Sequence, residues 1–271
     1  MNQTYEDIIR RKLNLLDEWH NSMEYKQLRN ENYTHINELV HMGEQYVPLC
    51  ADMQGADFAR IEITSASSLH RGFYCPSLIY DLIAGNVNRG KKLKRLTSKS
   101  KEYFIYGFDK NDRLVQCKRF YNGRLANTEY MFYESDHRYG IILDVNGRLE
   151  QVSLEKYENG KLKTYEIALV SQIGGANACM RMWKEEYEYD SLGFRVCIAQ
   201  EDYPQQSFHS RARYTFDREG GCLIGYLSED IIGIADPIVL GSNYYRLTPR
   251  QEYQGDGGDK RTVPLSLCIK S

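Results

Sequence analysis

Apolar residues in the first forty positions recur at helical spacing. Four of them share one helical face at intervals of four, four and three residues: Tyr5, Ile9, Leu13 and Leu16. Thr4 and Asp7 form an approximate capping box at the start of this helix. A second helix is predicted over residues 32–45, with Gly43 near its end, and its apolar stripe comprises Ile36, Leu39 and Val40. Because isolated helices of this length are marginal in water, we expect both to pack against another element.

The spacing of apolar residues changes twice in the next segment, residues 58–101. FARIEI, residues 58–63, alternates like a short strand, and CPSLIYDLIAGN, residues 75–86, predicts a short helix with Pro76 at its first position. Seven of the thirteen residues at 89–101 are basic and none is acidic, which indicates a linker or a charged edge.

We place a domain boundary within the basic run. Residues 1–95 are predicted to be a mainly helical N-terminal region, and residues 96–271 an antiparallel β-sheet domain. In the second part, strand-like runs rich in Tyr, Phe, Val and Ile alternate with turn signals. The last predicted strand is VPLSLCI, residues 263–269.

Two kinds of turn join the predicted strands. Asn-Gly favours a type I′ turn because both central residues need positive φ. In Asp-x-x-Gly the carboxylate accepts backbone N–H bonds and the glycine takes the left-handed position, where Asp112 stands in the first such turn. The predicted turn residues are Asp109, Asn122, Gly123, Asp144, Gly147, Asn159, Gly160, Asp190, Gly193, Asp217 and Gly220.

A step of two aromatic residues separated by one position recurs before these turns. It reads YGFDKNDRL from Tyr106, YEYDSLGFRV from Tyr187 and YTFDREGGCL from Tyr214, with IILDVNGRL from Ile141 as an aliphatic version. Residues two apart share a strand face, so each unit is a hairpin with its own apolar patch. Such hairpins are barely stable alone and must join into one sheet. The predicted fold class is α+β, a helical N-terminal portion followed by a mostly antiparallel β-meander built of repeated hairpins.

These units resemble the tyrosine-aspartate (YD, or RHS-type) repeat, Y-x-Y-D-x-x-G-R-L, which builds spiralling antiparallel sheet. FYNGRLANTEY and KYENGKLKTYE also resemble the hairpin repeats of bacterial MORN-variant and wall-associated proteins. The resemblance covers residues 103–228. Spacing is irregular, Phe194 replaces the usual Arg after Gly193, and the units are too few for a toxin-encapsulating shell. The resemblance implies a small hairpin domain and an association with bacterial toxin systems.

Composition narrows the class of protein. The 271 residues are 42% hydrophobic and 27% charged, as in globular proteins, and 22 tyrosines favour sheet and an interface. A net charge of -2 gives no global attraction to nucleic acid or to a membrane. Seven scattered cysteines without a CxxC pair, together with the lack of an evident signal segment, predict a cytoplasmic protein with reduced thiols.

Catalytic signatures are absent from the sequence, so no catalytic residue, cofactor or metal site is predicted. Asp256 and Asp259 lie in a glycine-rich loop that lacks the ligand spacing of an EF-hand. Two sets of residues leave a hydrolase open as an alternative to a non-enzymatic protein. Cys75 precedes a predicted helix whose dipole would lower the thiol pKa, and Asp136 with His137 has the chemistry of an orienting acid and a base.

A row of carboxylates supplies the candidate partner site. WKEEYEYD alternates aromatic residues with Glu186, Glu188 and Asp190, and such a row would suit a basic protein such as a nuclease toxin. The predicted partner-binding residues are Trp183, Glu186, Glu188, Tyr189 and Asp190. The basic run, flanked by Tyr103 and Phe104, offers a nucleic-acid alternative, and a solvated linker is its default interpretation.

These patterns predict a cytoplasmic bacterial protein-binding module, in its most concrete form an immunity or accessory protein of a polymorphic or RHS-type toxin system. The expected partner is another protein, with neither nucleic acid nor a membrane. Two alternatives stay open: a hydrolase using Cys75 or His137, and a structural repeat module of a surface protein.

Overall fold

The computed structural model describes residues 5–246, except for residues 56, 66, 68, 81–88, 98–99, 192, 207, 220–221 and 235. In this part of the chain two helices precede thirteen strands. The helices are α1 (Tyr5–Asn21) and α2 (Met23–Asp52). The strands are β1 (Arg60–Ser65), β2 (Lys92–Leu93), β3 (Tyr103–Phe108), β4 (Leu114–Tyr121), β5 (Arg124–Tyr133), β6 (His137–Asp144), β7 (Leu149–Glu158), β8 (Lys161–Ile173), β9 (Ala176–Asp190), β10 (Gly193–Tyr203), β11 (Phe208–Glu219), β12 (Cys222–Ile232) and β13 (Ile238–Arg246).

The strands follow a meander. Their order is β13-β12-β11-β10-β9-β8-β7-β6-β5-β4-β3-β1-β2, so from β3 onward each strand lies beside its neighbour in sequence. The prediction of a helical N-terminal portion followed by an antiparallel meander is therefore confirmed. The final predicted strand, residues 263–269, and the loop containing Asp256 lie outside the described residues.

Turn chemistry explains the short connections between strands. Asn122 and Gly123 join β4 to β5 with φ of 51° and 73°, and Asn159 and Gly160 join β7 to β8 with φ of 51° and 76°. Both pairs have the positive φ that a type I′ turn requires. The twist of these turns matches that of the strands, so the hairpins close without a longer loop.

The aspartate turns use the carboxylate as an acceptor. Asp109 Oδ1 accepts the backbone N–H groups of Asn111 at 2.9 Å and Arg113 at 3.0 Å, and these bonds lower its pKa. Asp112 has φ of 59°, in the left-handed position that glycine occupies elsewhere. The same two bonds to Asp144 close the β6–β7 turn, where Gly147 has φ of 77°.

The remaining predicted turn residues lie at strand ends or within a strand. Asp190 is the last residue of β9, and Gly193, with φ of 134°, is the first of β10. Asp217 lies within β11, at a shift in its register with β12. Gly220 lies outside the described residues.

The chain forms two compact units. Unit 1 comprises Met1–Arg29, Glu186–Gln200 and Ser210–Ser271, and unit 2 comprises Asn30–Glu185 and Glu201–His209, each within the described residues. The predicted boundary near residue 95 therefore lies inside unit 2.

Strand pairing explains why the basic run does not separate two domains. β1 pairs with β3, with Ile63 opposite Ile105, and with β2 on its other side. β2 belongs to the basic run, and Lys92 Nζ lies 2.9 Å from Glu62 Oε2. Arg89 donates hydrogen bonds to the carbonyl oxygens of Cys75 and Ser77. The first part of the run is thus a charged sheet edge rather than a linker.

Helix α2 covers one face of the unit 2 sheet. Its predicted stripe is buried in a core with Ile141, Val152 and Ala168: Ile36, Leu39 and Val40. Gly43 lies so close to Val152 that a Cβ at residue 43 would overlap the valine methyl group. The helix continues to Asp52, beyond its predicted end, because Gly43 serves close approach to the sheet and not termination.

Unit 1 has its own small core around the end of α1. Trp19, Tyr25, Leu28 and Ile232 are buried together, with Leu16 half-buried against them. Leu13, which shares the predicted apolar face, is 55% exposed. Among the stripe residues whose burial is described, Leu16 is packed, and Ile9 and Leu13 are exposed.

The close contact at Gly43 predicts that a larger side chain at this position destabilises the folded protein. In Gly43→Ala the added Cβ would force Val152 or α2 to shift, and such overpacking destabilises proteins by about 1–3 kcal/mol. Urea denaturation would measure the loss. Gly55→Ala is the matched control because a Cβ there meets open space. Equal losses in the two variants would contradict the close packing of α2.

Candidate functional site

Residues 67 and 69–80 form a covering segment on the other face of the unit 2 sheet. Val152 lies in the core under α2, so the neighbouring residues Gln151 and Ser153 point to the opposite face. Tyr106 fixes the segment there: its hydroxyl donates to Arg71 O and accepts from Phe73 N–H, both at 3.1 Å. The covering segment is therefore bonded directly to the sheet.

Aromatic packing adds to this attachment. Tyr106 and Phe108, the first predicted aromatic pair, share the covered face as expected. The Tyr74 ring packs edge-on against both, at centroid distances of 4.9 and 5.4 Å. The aromatic pair that precedes the first turn therefore forms part of the surface on which the covering segment packs.

Arg71 inserts a buried charge between two strands. Its guanidinium donates to Glu129 Oε1 at 2.7 Å and to Glu155 Oε1 at 2.5 Å, and all three side chains are almost fully buried. Arg71 adopts a left-handed backbone conformation, with φ of 57°. Gly140 lies between the two glutamates, and a Cβ there would overlap Glu129 Oε1 and Ser153 Oγ. The missing side chain on β6 leaves the space that the ion cluster fills.

The charges in this cluster stabilise one another. Burial raises the pKa of the Glu129 carboxyl, but Arg71 and His70 more than offset it, so the net shift is downward. Burial likewise lowers the pKa of Arg71, and the two glutamates reverse that effect. Glu129 and Arg71 therefore keep their charges although both are removed from water.

His70 joins the ion cluster to the neighbouring cleft. Its Nδ1 lies 2.5 Å from the Tyr165 hydroxyl and its Nε2 lies 3.0 Å from Glu129 Oε1. The imidazole also stacks on the Tyr165 ring at 5.9 Å. Both ring nitrogens are thus engaged within the protein.

A cleft opens beside this cluster, with an empty volume of about 540 Å³ that includes its solvent-filled mouth. The covering segment and strands β7, β8 and β9 supply its walls. Six lining residues are aliphatic or aromatic: Leu69, Tyr80, Tyr165, Ile167, Leu169 and Trp183. Four more carry polar groups or sulfur: His70, Cys75, Gln151 and Arg181.

Trp183 is held in a fixed position in this cleft. Its Nε1–H donates to Glu185 Oε1 at 2.7 Å, and the Ser77 hydroxyl donates to the same oxygen at 2.8 Å. The Tyr80 ring contacts the indole edge-on at 6.1 Å. Glu185 is fully buried, so a buried carboxylate holds the indole N–H while the indole ring lines the cleft.

The candidate nucleophile is protonated in this environment. Burial raises the pKa of the Cys75 thiol to about 12, opposite to the predicted depression by a helix dipole. Residues 75–79 are not helical, so no helix begins at Pro76, and the second half of the predicted helix, residues 81–86, lies outside the described residues. His137 does not line the cleft and instead contacts Asp136 Oδ1 at 2.7 Å. The structure does not bring Cys75 and His137 together.

The predicted partner-binding residues have different surroundings. Trp183 belongs to unit 2 and lines the cleft. The other four belong to unit 1, where Glu188 is exposed and burial raises the pKa of Tyr189 to about 12. Glu186 and Asp190 are half-buried.

Sequence reasoning missed the ion cluster and much of the cleft. The available signal was partial: Glu129 directly precedes the apolar run YMFY in β5, whereas Glu155 lies among other polar residues of β7 and does not stand out. A buried carboxylate needs a cation, but nothing in the sequence showed that Arg71 would supply it.

Other classes of site are not seen in the described part of the chain. Its His, Cys, Asp and Glu residues include no group of three or more that could hold a metal ion. Neither of its two helices combines the length and apolarity needed to cross a membrane.

The ion cluster predicts a large and specific loss of stability. Arg71→Met would remove the buried cation that contacts both Glu129 and Glu155, and breaking buried ion pairs in this way costs about 3–5 kcal/mol. Chemical denaturation would measure the loss, with Arg148→Met, at an exposed position, as the control. The triple variant Arg71→Met, Glu129→Gln, Glu155→Gln should recover part of the loss. Equal stability of the Arg71 and Arg148 variants would contradict the cluster's role.

Comparison with known proteins gives no family. No protein-family model and no curated protein matches the chain. Among solved structures, a porin-like protein from Bacteroides uniformis aligns over 71% of this chain and 98% of that chain, with 10% sequence identity and a TM-score of 0.20. A similarity this weak carries no conclusion about fold or function.

Proposed function

We propose that the protein is a non-catalytic binding protein and that the cleft of unit 2 is its binding site. The observation that carries this proposal is the anchored Trp183 ring, presented between aliphatic walls next to a cluster of buried charges. Ligand sites are typically concave, mostly apolar and equipped with a few polar groups. The cleft has this composition.

Preorganisation supports binding at this place. The indole of Trp183 is held by Glu185, and His70 is held by Tyr165 and Glu129. A ligand that contacts side chains already fixed in position loses less conformational entropy on binding. The ion cluster contributes indirectly because it keeps the covering segment, and hence Leu69 and His70, on the sheet.

The same contacts argue against a hydrolase in this cleft. A nucleophilic cysteine needs a thiolate and an adjacent base. The raised pKa of Cys75 keeps its thiol protonated, and His70 has both nitrogens engaged elsewhere. These groups therefore line a binding surface.

Blocking the cleft tests the proposal. Leu169→Trp would fill the cleft, and Leu125→Trp is the matched control because the two leucines are 37% and 38% exposed on strands of the same unit. A panel of small aromatic and aliphatic molecules is screened by saturation-transfer NMR. We expect molecules that bind the unaltered chain and the Leu125 variant and fail to bind the Leu169 variant. Binding unaffected by Leu169→Trp, or no binding at all, would refute the proposal.

A second candidate function is the toxin-immunity role suggested by the resemblance to repeated hairpins. The exposed Glu188 and the half-buried Glu186 and Asp190 on β9 favour it, because a row of carboxylates suits a basic partner. The partner would be a basic toxin domain encoded beside this chain, bound in the cytoplasm.

Charge reversal separates this candidate from the first. The double variant Glu186→Lys, Glu188→Lys should slow association with such a toxin domain by about tenfold at low salt and by less at high salt. Stopped-flow fluorescence would measure the rates. The control, Glu6→Lys with Glu18→Lys, makes the same charge change at exposed positions of α1. Equal association rates for the two double variants would show that the carboxylate row is not part of the interface.

A further inference from the structure

Gln151 places an unpaired donor against the wall of the cleft. It lies on β7 directly opposite Leu169 of β8, and both residues line the cleft. Its Nε2 is shielded from water and has no hydrogen-bond partner among the described residues. Buried polar groups are nearly always paired, so this nitrogen needs an acceptor that the described residues do not supply.

We propose that the cleft binds a small, neutral, planar molecule that carries a carbonyl oxygen beside an aromatic ring, and that Gln151 donates a hydrogen bond to that oxygen. This inference rests on the proposed function and specifies its ligand class. The terminal torsion of a glutamine side chain has a broad energy minimum. A modest rotation of the amide therefore turns Nε2 toward the cleft when an acceptor enters.

The aromatic part of the ligand follows from the walls. Tyr80 and Trp183 already pack edge-to-face, an arrangement that aromatic rings prefer and that a further ring can extend. Leu69, Ile167 and Leu169 offer aliphatic contact. A flat apolar ring satisfies both kinds of wall.

The charge of the ligand follows from the lining as well. No Asp or Glu stands among the lining residues within the described part of the chain, and Arg181 contributes a guanidinium. A cationic ligand would find no carboxylate among these lining residues to pair with. Arg181 is itself paired with Glu201, at 2.5 Å, so the site does not require an anion. A neutral acceptor fits the cleft best.

Three probes of similar size test the inference. Benzamide carries the ring and the carbonyl, toluene carries the ring alone, and benzylammonium carries the ring with donors and a positive charge. Binding is followed by the NMR shift of the Trp183 indole N–H, assigned with Trp19→Phe, since the chain has two tryptophans. We expect benzamide to bind about tenfold more tightly than toluene because one hydrogen bond is added, and benzylammonium to bind least.

Gln151→Leu supplies the decisive comparison. In that variant benzamide should lose its advantage while toluene still binds, and Gln172→Leu, at an exposed position of β8, should leave the preference unchanged. If toluene binds but benzamide binds no more tightly, or if Gln151→Leu keeps the preference, the ligand class is wrong and the cleft remains a binding site. If neither toluene nor benzamide shifts Trp183, both the ligand class and the proposed function are refuted.

Discussion

The pairing of Arg71 with Glu129 and Glu155 is the interaction on which the rest of unit 2 depends. Two carboxylates on the interior face of a covered sheet are tolerated only if a cation reaches them. The cation comes from the covering segment, whose Phe73 and Tyr74 rings also pack against the sheet. The ionic contact therefore helps to fix where that segment lies, and Gly140 makes the contact possible by leaving the intervening strand without a side chain.

The cleft follows from that arrangement. Fixing Arg71 also fixes its neighbours in sequence, so His70 reaches Tyr165 and Glu129, and Leu69 becomes part of a wall. On the far side Ser77 reaches Glu185 and so helps to hold Trp183. The two ends of one short segment thus position both walls. The polar atoms of these residues hold the walls of the cleft together.

The sheet has a different role on each of its faces. Under α2 the core is mostly apolar, with aromatic rings such as Tyr130 among aliphatic residues, and it includes Glu166, whose carboxylate lies 2.5 Å from His35 Nε2 on the helix. Under the covering segment the residues are a mixture of aromatic and ionised side chains. An antiparallel strand alternates its side chains between faces, so one strand such as β7 serves a plain hydrophobic core with Val152 and a polar site with Gln151, Ser153 and Glu155.

Local patterns in the sequence determined the elements of this protein. The stripe of Ile36, Leu39 and Val40, the Asn-Gly pairs at 122 and 159, and the aspartate turn at Asp109 each depend on a few adjacent residues, so helix α2 and the hairpins were predictable. The N-terminal helices were expected to pack on another element, and α2 does. The predicted division at residue 95 differs from the observed units because β1 pairs with β3 across the basic run.

Only the tertiary structure decided the site. Glu129, Glu155 and Arg71 are 26 residues apart at the closest and 84 at the farthest, and no local pattern links them. Gly43 has the appearance of a helix end but allows close packing, and Cys75 has the appearance of a reactive thiol but is protonated by burial. The spacing of apolar residues and the chemistry of turns are local properties that can be read directly from a sequence. Charge compensation, close approach and desolvation depend on which distant residues meet, and that is settled when the sheet and its covering segment come together.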